Sequence, residues 1–407
     1  SVEGNLSDEG LVSEDGNFYY ENYIFTGKAE QVVQIKLSSD EFDTKVLLFA
    51  ETGEFISEND DDLNGGKDSK IVVKLPTNGQ YRLVITSHER LAQGRYHLLI
   101  SESNDADLNK FESHSEASSL FHQGIGQFRD GQYLKATEFW NAALQIYQHL
   151  GDVQSETQVL SNLGSAYYRL SNYSQAISFL EQSIVLEQKL GNTRGEMASL
   201  VNLGLIYSEI GNSQKGKEIL ELALSLLDQE EDLQLRSFAL GNLGIIYSDL
   251  SDYQTAIEHH LQSLLIKQQL DDRLGQANSL GNIGVAYLNL GDYDQALFHH
   301  QQQLAVVQDL NNLQGKSQAL AGLGNVFFRM GDYHQAIVHH ELALAIDRDL
   351  QNRGGEAGSL NNLGLVYESL GNYQQASYLY EQSLAIANEI SDLRGQAVSL
   401  GNLGNVY

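Results

Sequence analysis

Two kinds of apolar spacing divide this chain. Up to about residue 100, apolar residues alternate with polar ones or gather in short aromatic-rich runs: Phe18 to Phe25, Gln31 to Leu37, Lys45 to Ala50, Lys70 to Leu75, Gln80 to Thr86 and Arg95 to Ile100. Turn formers such as Thr52-Gly53, Asn64-Gly65-Gly66 and Pro76-Thr77-Asn78-Gly79 separate them. A period of two broken by Gly and Asn turns predicts short strands with one buried face, so residues 1–101 read as a small all-β sandwich. Residues 102–114 are polar and aperiodic, and read as a linker.

From Ser115 the spacing becomes helical, and the pattern itself recurs. Asn162-Leu163-Gly164 with Tyr167 returns forty residues on as Asn202-Leu203-Gly204 with Tyr207, then in the same forty-residue frame at Asn242, Asn282, Asn362 and Asn402, with Gly322 at the place skipped. Seven blocks begin at Phe121, Ser161, Val201, Gly241, Gly281, Ala321 and Asn361, and a truncated eighth follows. Each predicts two amphipathic helices. Gly211, Gly291, Gly331 and Gly371 suit left-handed caps, and Asn172, Asp252, Asp292, Asp332 and Asn372 suit the N-cap of the second helix. Asp152, Asn192, Asp272, Asn312 and Asp392 mark the turn into the next block. Units that bury their apolar face only by stacking on neighbours make a solenoid, so the expected fold is multidomain: the sandwich, then an all-α superhelical solenoid over residues 115–407. Gln123 and Gln127 mark the first block as a cap. Ser213 and Gly216, in place of Tyr and Ala, predict lost packing in the third.

Composition narrows the function classes. The formal charge of −29 argues against nucleic acid or an anionic membrane as partner. The chain has no cysteine, which excludes disulfides, thiolate metal sites and a cysteine nucleophile within it. No run of about 18 apolar residues exists to span a bilayer. The Gly-rich phosphate loop with Lys, Gly-x-Ser-x-Gly and His-Glu-x-x-His are all missing, so these residues are expected not to form an enzyme. The opening Ser1-Val2-Glu3-Gly4-Asn5 and the close in mid-repeat read as an excerpt or a processed product.

Leu243, Gly244, Tyr247, Tyr253, Ala256, Leu264 and Ile266 recur at matching places in the blocks, and this pattern resembles tetratricopeptide repeats of the forty-residue kind in kinesin light chains and Pins-type adaptors. The resemblance implies a right-handed superhelix whose concave face, lined by first helices, holds an extended or helical peptide. Tyr23 to Gly27, Phe42-Asp43, Asn59-Asp60-Asp61, Gly79-Gln80-Tyr81 and Gly94 to Leu98 resemble the bacterial pre-peptidase C-terminal domain. That likeness implies a secreted or periplasmic setting, the cytoplasm remaining open. Arrays of this kind also resemble the regulatory arm before a caspase-like peptidase domain.

The asparagine row, Asn162, Asn202, Asn242, Asn282, Asn362 and Asn402 with Gly322 as its gap, is the leading site candidate. Asn is a mediocre helix former, and its amide carries both a donor and an acceptor able to pair with peptide main chain. In the related families this place faces the groove and holds ligand main chain; the competing reading is a strut between helices. Neighbouring Arg169 and Arg329, with Glu209, Asp249 and Asn289, would set ligand preference. The pairs His259-His260, His299-His300 and His339-His340 read as interhelical packing rather than zinc ligands, because adjacent helical residues do not face each other. Asp43, Asp60 and Asp62 are candidates for calcium in the sandwich. The expected function is a scaffold or regulatory arm that binds protein or peptide, without a cofactor. The alternative makes the sandwich a carbohydrate- or matrix-binding module and the repeats a spacer.

Overall fold

The computed structural model describes residues 1–7, 11–13, 16–59, 67–87, 89–226 and 232–407. They form two compact units, Ser1–Leu190 and Gly191–Tyr407.

The first unit opens with nine strands: β1 (Val2–Leu6), β2 (Leu11–Val12), β3 (Tyr19–Gly27), β4 (Val32–Ser38), β5 (Thr44–Ala50), β6 (Phe55–Asn59), β7 (Ser69–Lys74), β8 (Gly79–Ser87) and β9 (Gly94–Glu102). They make two antiparallel sheets, β1-β9-β4-β7 and β2-β3-β8-β5-β6. Alternation decides what lies between them. Val33, Ile35 and Leu37 of β4 are buried while Lys36 is exposed. Leu48, Leu83, Ile85 and Leu98 join the same core from the other strands. The six expected strands are present. Sequence reading passed over β1, β2 and β6, whose only fully buried side chain is Leu6. Edge strands of this kind leave little alternation to detect.

The stretch 102–114 is not an irregular linker. Helix α1 runs from Asp105 to Arg129. Asn104 caps it by accepting the Asp107 N–H at 3.0 Å, and Asp105 and Asp107 complement the positive end of the helix dipole. Lys74 of β7 pairs with Asp105 at 2.7 Å. Within residues 105–114 the buried side chain is the polar His114, and the large apolar residues that α1 packs on the core, Leu120, Phe121, Ile125 and Phe128, come later in the helix. After α1 come α2 (Tyr133–Leu150), α3 (Val153–Arg169) and α4 (Tyr173–Leu190).

Among its described residues the second unit carries helices alone: α5 (Thr193–Glu209), α6 (Ser213–Ser225), α7 (Leu233–Asp249), α8 (Tyr253–Gln269), α9 (Arg273–Leu290), α10 (Tyr293–Asp309), α11 (Leu313–Met330), α12 (Tyr333–Asp349), α13 (Arg353–Ser369), α14 (Tyr373–Glu389) and α15 (Leu393–Val406). Odd-numbered helices are the first of each pair. The forty-residue frame drawn from the asparagine phrase therefore starts in mid-helix. Asp or Asn caps each first helix in this unit, as Asp272 does for the Gly275 N–H at 2.8 Å and Asn312 for the Gly315 N–H at 2.8 Å. Asp252, Asp292, Asp332 and Asn372 cap the second helices at 3.1–3.2 Å. Left-handed turns follow, with Gly291 at φ 89° but also Asp271 at 53° and Gln351 at 54°.

Within a pair, close approach is made by glycine under a large side chain. The His260 ring lies where a Cβ on Gly244 would stand, 2.5 Å from it, and Leu220 fills the same role against Gly204. A serine strut ties the pair: Ser263 Oγ donates to the Ser237 carbonyl at 2.8 Å and Ser383 Oγ to that of Ala357 at 2.9 Å. At Gly216 the third block shows a close approach rather than a void. A Cβ on Gly216 would meet the Gly204 carbonyl oxygen at 2.7 Å, so the missing methyl allows a closer backbone approach. Lys215 donates to the Tyr207 hydroxyl at 2.7 Å and sits 4.0 Å from its ring centroid.

Candidate functional site

In the second unit, successive first helices pack directly on one another, α5 on α7, α7 on α9, α9 on α11 and α11 on α13. Equivalent places on them are therefore neighbours. Residues four, three and four apart share one helical face. On α7 that stripe is Phe238, Asn242, Ile245 and Asp249; on α9 it is Asn278, Asn282, Val285 and Asn289. The outer members are exposed, and Asn242 and Asn282 sit half-buried between them. Asn202 and Asn362 hold the same place on α5 and α13.

The amides are uncommitted. Among the described residues, Asn162, Asn202, Asn242, Asn282 and Asn362 make no side-chain hydrogen bond. Asn402 differs, donating to Asn361 Oδ1 at 2.8 Å. Asn162 and Arg169 belong to the first unit, on α3. Arg169 and Arg329 both stand exposed at the C-terminal ends of their helices, Arg329 on α11. Sequence reading missed the apolar members of the stripe, Phe238, Ile245 and Val285, exposed by 48%, 39% and 46%. Their spacing of three and four from an asparagine was the available signal.

The gap at Gly322 has a structural cause. The His300 ring of the preceding second helix lies 2.5 Å from where a Cβ on Gly322 would be, and 2.7 Å from one on Gly284. His300 Nδ1–H donates to Gln303 Oε1 at 3.1 Å, where the pairs flanking this one in the fold carry the smaller Ser263 and Ala343. An asparagine at 322 and His300 in this position exclude each other.

Paired histidines part company. His259 stacks on Tyr247, ring centroids 5.2 Å apart, and His299 on Tyr287 at 5.4 Å, while His260, His300 and His340 turn inward onto the glycines. Burial pushes His260 and His340 from the ordinary 6.5 down to about 4, reinforced at His260 by Lys267 and His259 and at His340 by His339. Nδ1 of each is buried without a partner. The described residues hold no group of three His, Asp or Glu able to share a metal ion. Of the calcium candidates, Asp43 keeps a buried Oδ1 without a partner, and Asp60 and Asp62 lie outside the described residues.

The tetratricopeptide repeat family profile matches seven overlapping windows, 115–189, 156–229, 195–269, 235–309, 275–349, 315–389 and 355–407. Comparison with curated proteins returns no match. Among solved structures, the apo quorum sensor NprR from B. thuringiensis is similar at TM-score 0.59 and 16% identity, over 67% of this chain and 77% of that one. Apo RapI gives 0.58 and 13%, over 68% and 99%. A Rap protein complexed with Competence and Sporulation Factor gives 0.53 and 15%, over 68% and 76%. At these identities the likeness is one of fold.

Proposed function

The chain belongs to the tetratricopeptide repeat family, and from that membership we propose that it is a protein-binding scaffold whose second unit takes an extended peptide along the asparagine-bearing faces of α5, α7, α9 and α13. The observation that carries this is the free valence of the amides. A half-buried Asn that served as a strut would spend its donor and acceptor on a neighbouring helix, and Asn202, Asn242, Asn282 and Asn362 do not. Laid along this face, a peptide loses water from its N–H and C=O groups and needs partners for both, which an amide supplies whatever the peptide sequence. Preference then comes from the flanks. Phe238, Ile245 and Val285 favour an apolar side chain, and Glu209 and Asp249 favour a basic one nearby. A Rap protein of similar fold is solved in complex with a factor, Competence and Sporulation Factor, which supports a binding role for this chain.

The absence of native cysteine permits a direct test. A peptide is first selected from a random library on the unmodified protein. Val285→Cys on the stripe and Leu265→Cys, exposed on the second helix α8, are then each labelled with a bulky maleimide. Binding should be lost with the label at 285 and kept with it at 265; the reverse pattern would place the ligand elsewhere.

A further inference from the structure

A cavity of about 540 Å³ lies in the first unit, between the outer face of β4 and β7, helix α1 and the turn from α2 into α3. Lys36 and Lys70 line its floor and are register partners across β4 and β7. Their side chains leave the same face of the sheet with Cβ atoms about 5 Å apart, an arrangement that costs stability when both carry the same charge. Lys110 of α1 reaches the cavity from the helical side. Lys36 and Lys110 make no ion pair among the described residues.

The carboxylates in the lining are occupied. Asp68 accepts the Ser39 N–H at 3.3 Å. Asp152 accepts the Ser155 N–H at 3.1 Å and its hydroxyl at 2.7 Å, and lies 3.0 Å from His114 Nε2. Behind it, Val153 and Gln154, whose N–H groups begin α3 without a partner in the helix ladder, line the same rim. Leu150 and Leu190 supply an apolar wall. In a chain of net charge −29, three lysines lining one cavity run against the composition.

We propose that this cavity binds a small organic oxyanion, a phosphate or sulfate ester, whose charged oxygens meet Lys36 and Lys110 and whose body rests on Leu150 and Leu190. The volume falls in the range of small-molecule sites.

Calorimetry on the full chain tests this, with glucose 6-phosphate, glucose 6-sulfate, inorganic phosphate and inorganic sulfate at one ionic strength, and chloride as control. One of the two esters should bind saturably with one site, and which one does identifies the anion. Lys36→Gln with Lys110→Gln should weaken it about tenfold or more, since each removes a charge-assisted hydrogen bond. Lys110→Gln alone should weaken it as well, and the Lys36→Arg, Lys110→Arg pair should restore it. Heats no larger than with chloride for every ligand would overturn the proposal, as would unchanged affinity in the glutamine pair with an unaltered circular dichroism spectrum.

Discussion

Acid should loosen the repeats through the inward histidines, and leucine should remove the effect. His260 and His340 are 1% exposed and neutral, held at about 4 against the ordinary 6.5. A folded-state value below the unfolded one means the unfolded chain takes up protons first. The stability these groups contribute is therefore complete above 6.5 and is lost as pH falls from 6.5 towards 4. By linkage each histidine should cost about 2 kcal/mol at about pH 5 and about 3 kcal/mol at about pH 4, relative to neutral pH. Carboxylates titrate in the same range, so the comparison must be with a variant. Leucine suits, because Leu180 and Leu220 already occupy this place against Gly164 and Gly204. The His260→Leu, His340→Leu protein should match the parent at about pH 7.5 in urea unfolding followed by helical ellipticity, and exceed it by about 4 kcal/mol at about pH 5. A difference that stays constant across that range would refute the argument: these histidines would then titrate normally, and the glycine-lined place would be wetter than the packing implies.

Three further outcomes follow from the packing. Gly216→Ala should destabilise by about 1–3 kcal/mol, because the new methyl meets the Gly204 carbonyl; a stabilised variant in denaturant titration would mean α6 can retreat. Gly322→Ala should cost a similar amount, about 1–3 kcal/mol, and markedly less in a His300→Ala background; additive effects in the double-mutant cycle would disprove the contact. Gln351→Gly and Asp271→Gly relieve a left-handed backbone at φ 54° and 53°, and should each raise stability by about 0.5–1 kcal/mol, an unchanged melting temperature counting against strain there.

Much of this fold was open to sequence reading because the repeat multiplies its own signal. A single Asn-Leu-Gly phrase says little, whereas its return at Asn202, Asn242 and Asn282 fixes the period and places Tyr247 beside Gly244. The first ten residues of helix α1 escaped because they carry only two large apolar side chains, Leu108 and Phe111, both half-buried and too few to show a period. The meaning of Gly322 escaped because its cause, His300, stands in the preceding block and acts through space. Gly216 read as a loss because a missing methyl looks the same in sequence whether it leaves a void or lets two backbones meet. For the candidate site, the asparagines were visible as a repeat. The apolar places beside them differ from block to block, Phe238 here and Asn278 next, so no repeated signal marked them.

The most direct measurement takes a peptide selected from a random library on the full chain and compares its affinity for the parent and for Asn242→Ala with Asn282→Ala. Each hydrogen bond lost to the peptide is worth roughly 0.5–1.5 kcal/mol, so binding should weaken by about 1–3 kcal/mol if the two losses add. The melting temperature should hardly move, because among the described residues neither amide makes a hydrogen bond. Unchanged affinity together with a markedly lower melting temperature would make the asparagines struts, and the peptide-binding account of this face would fall.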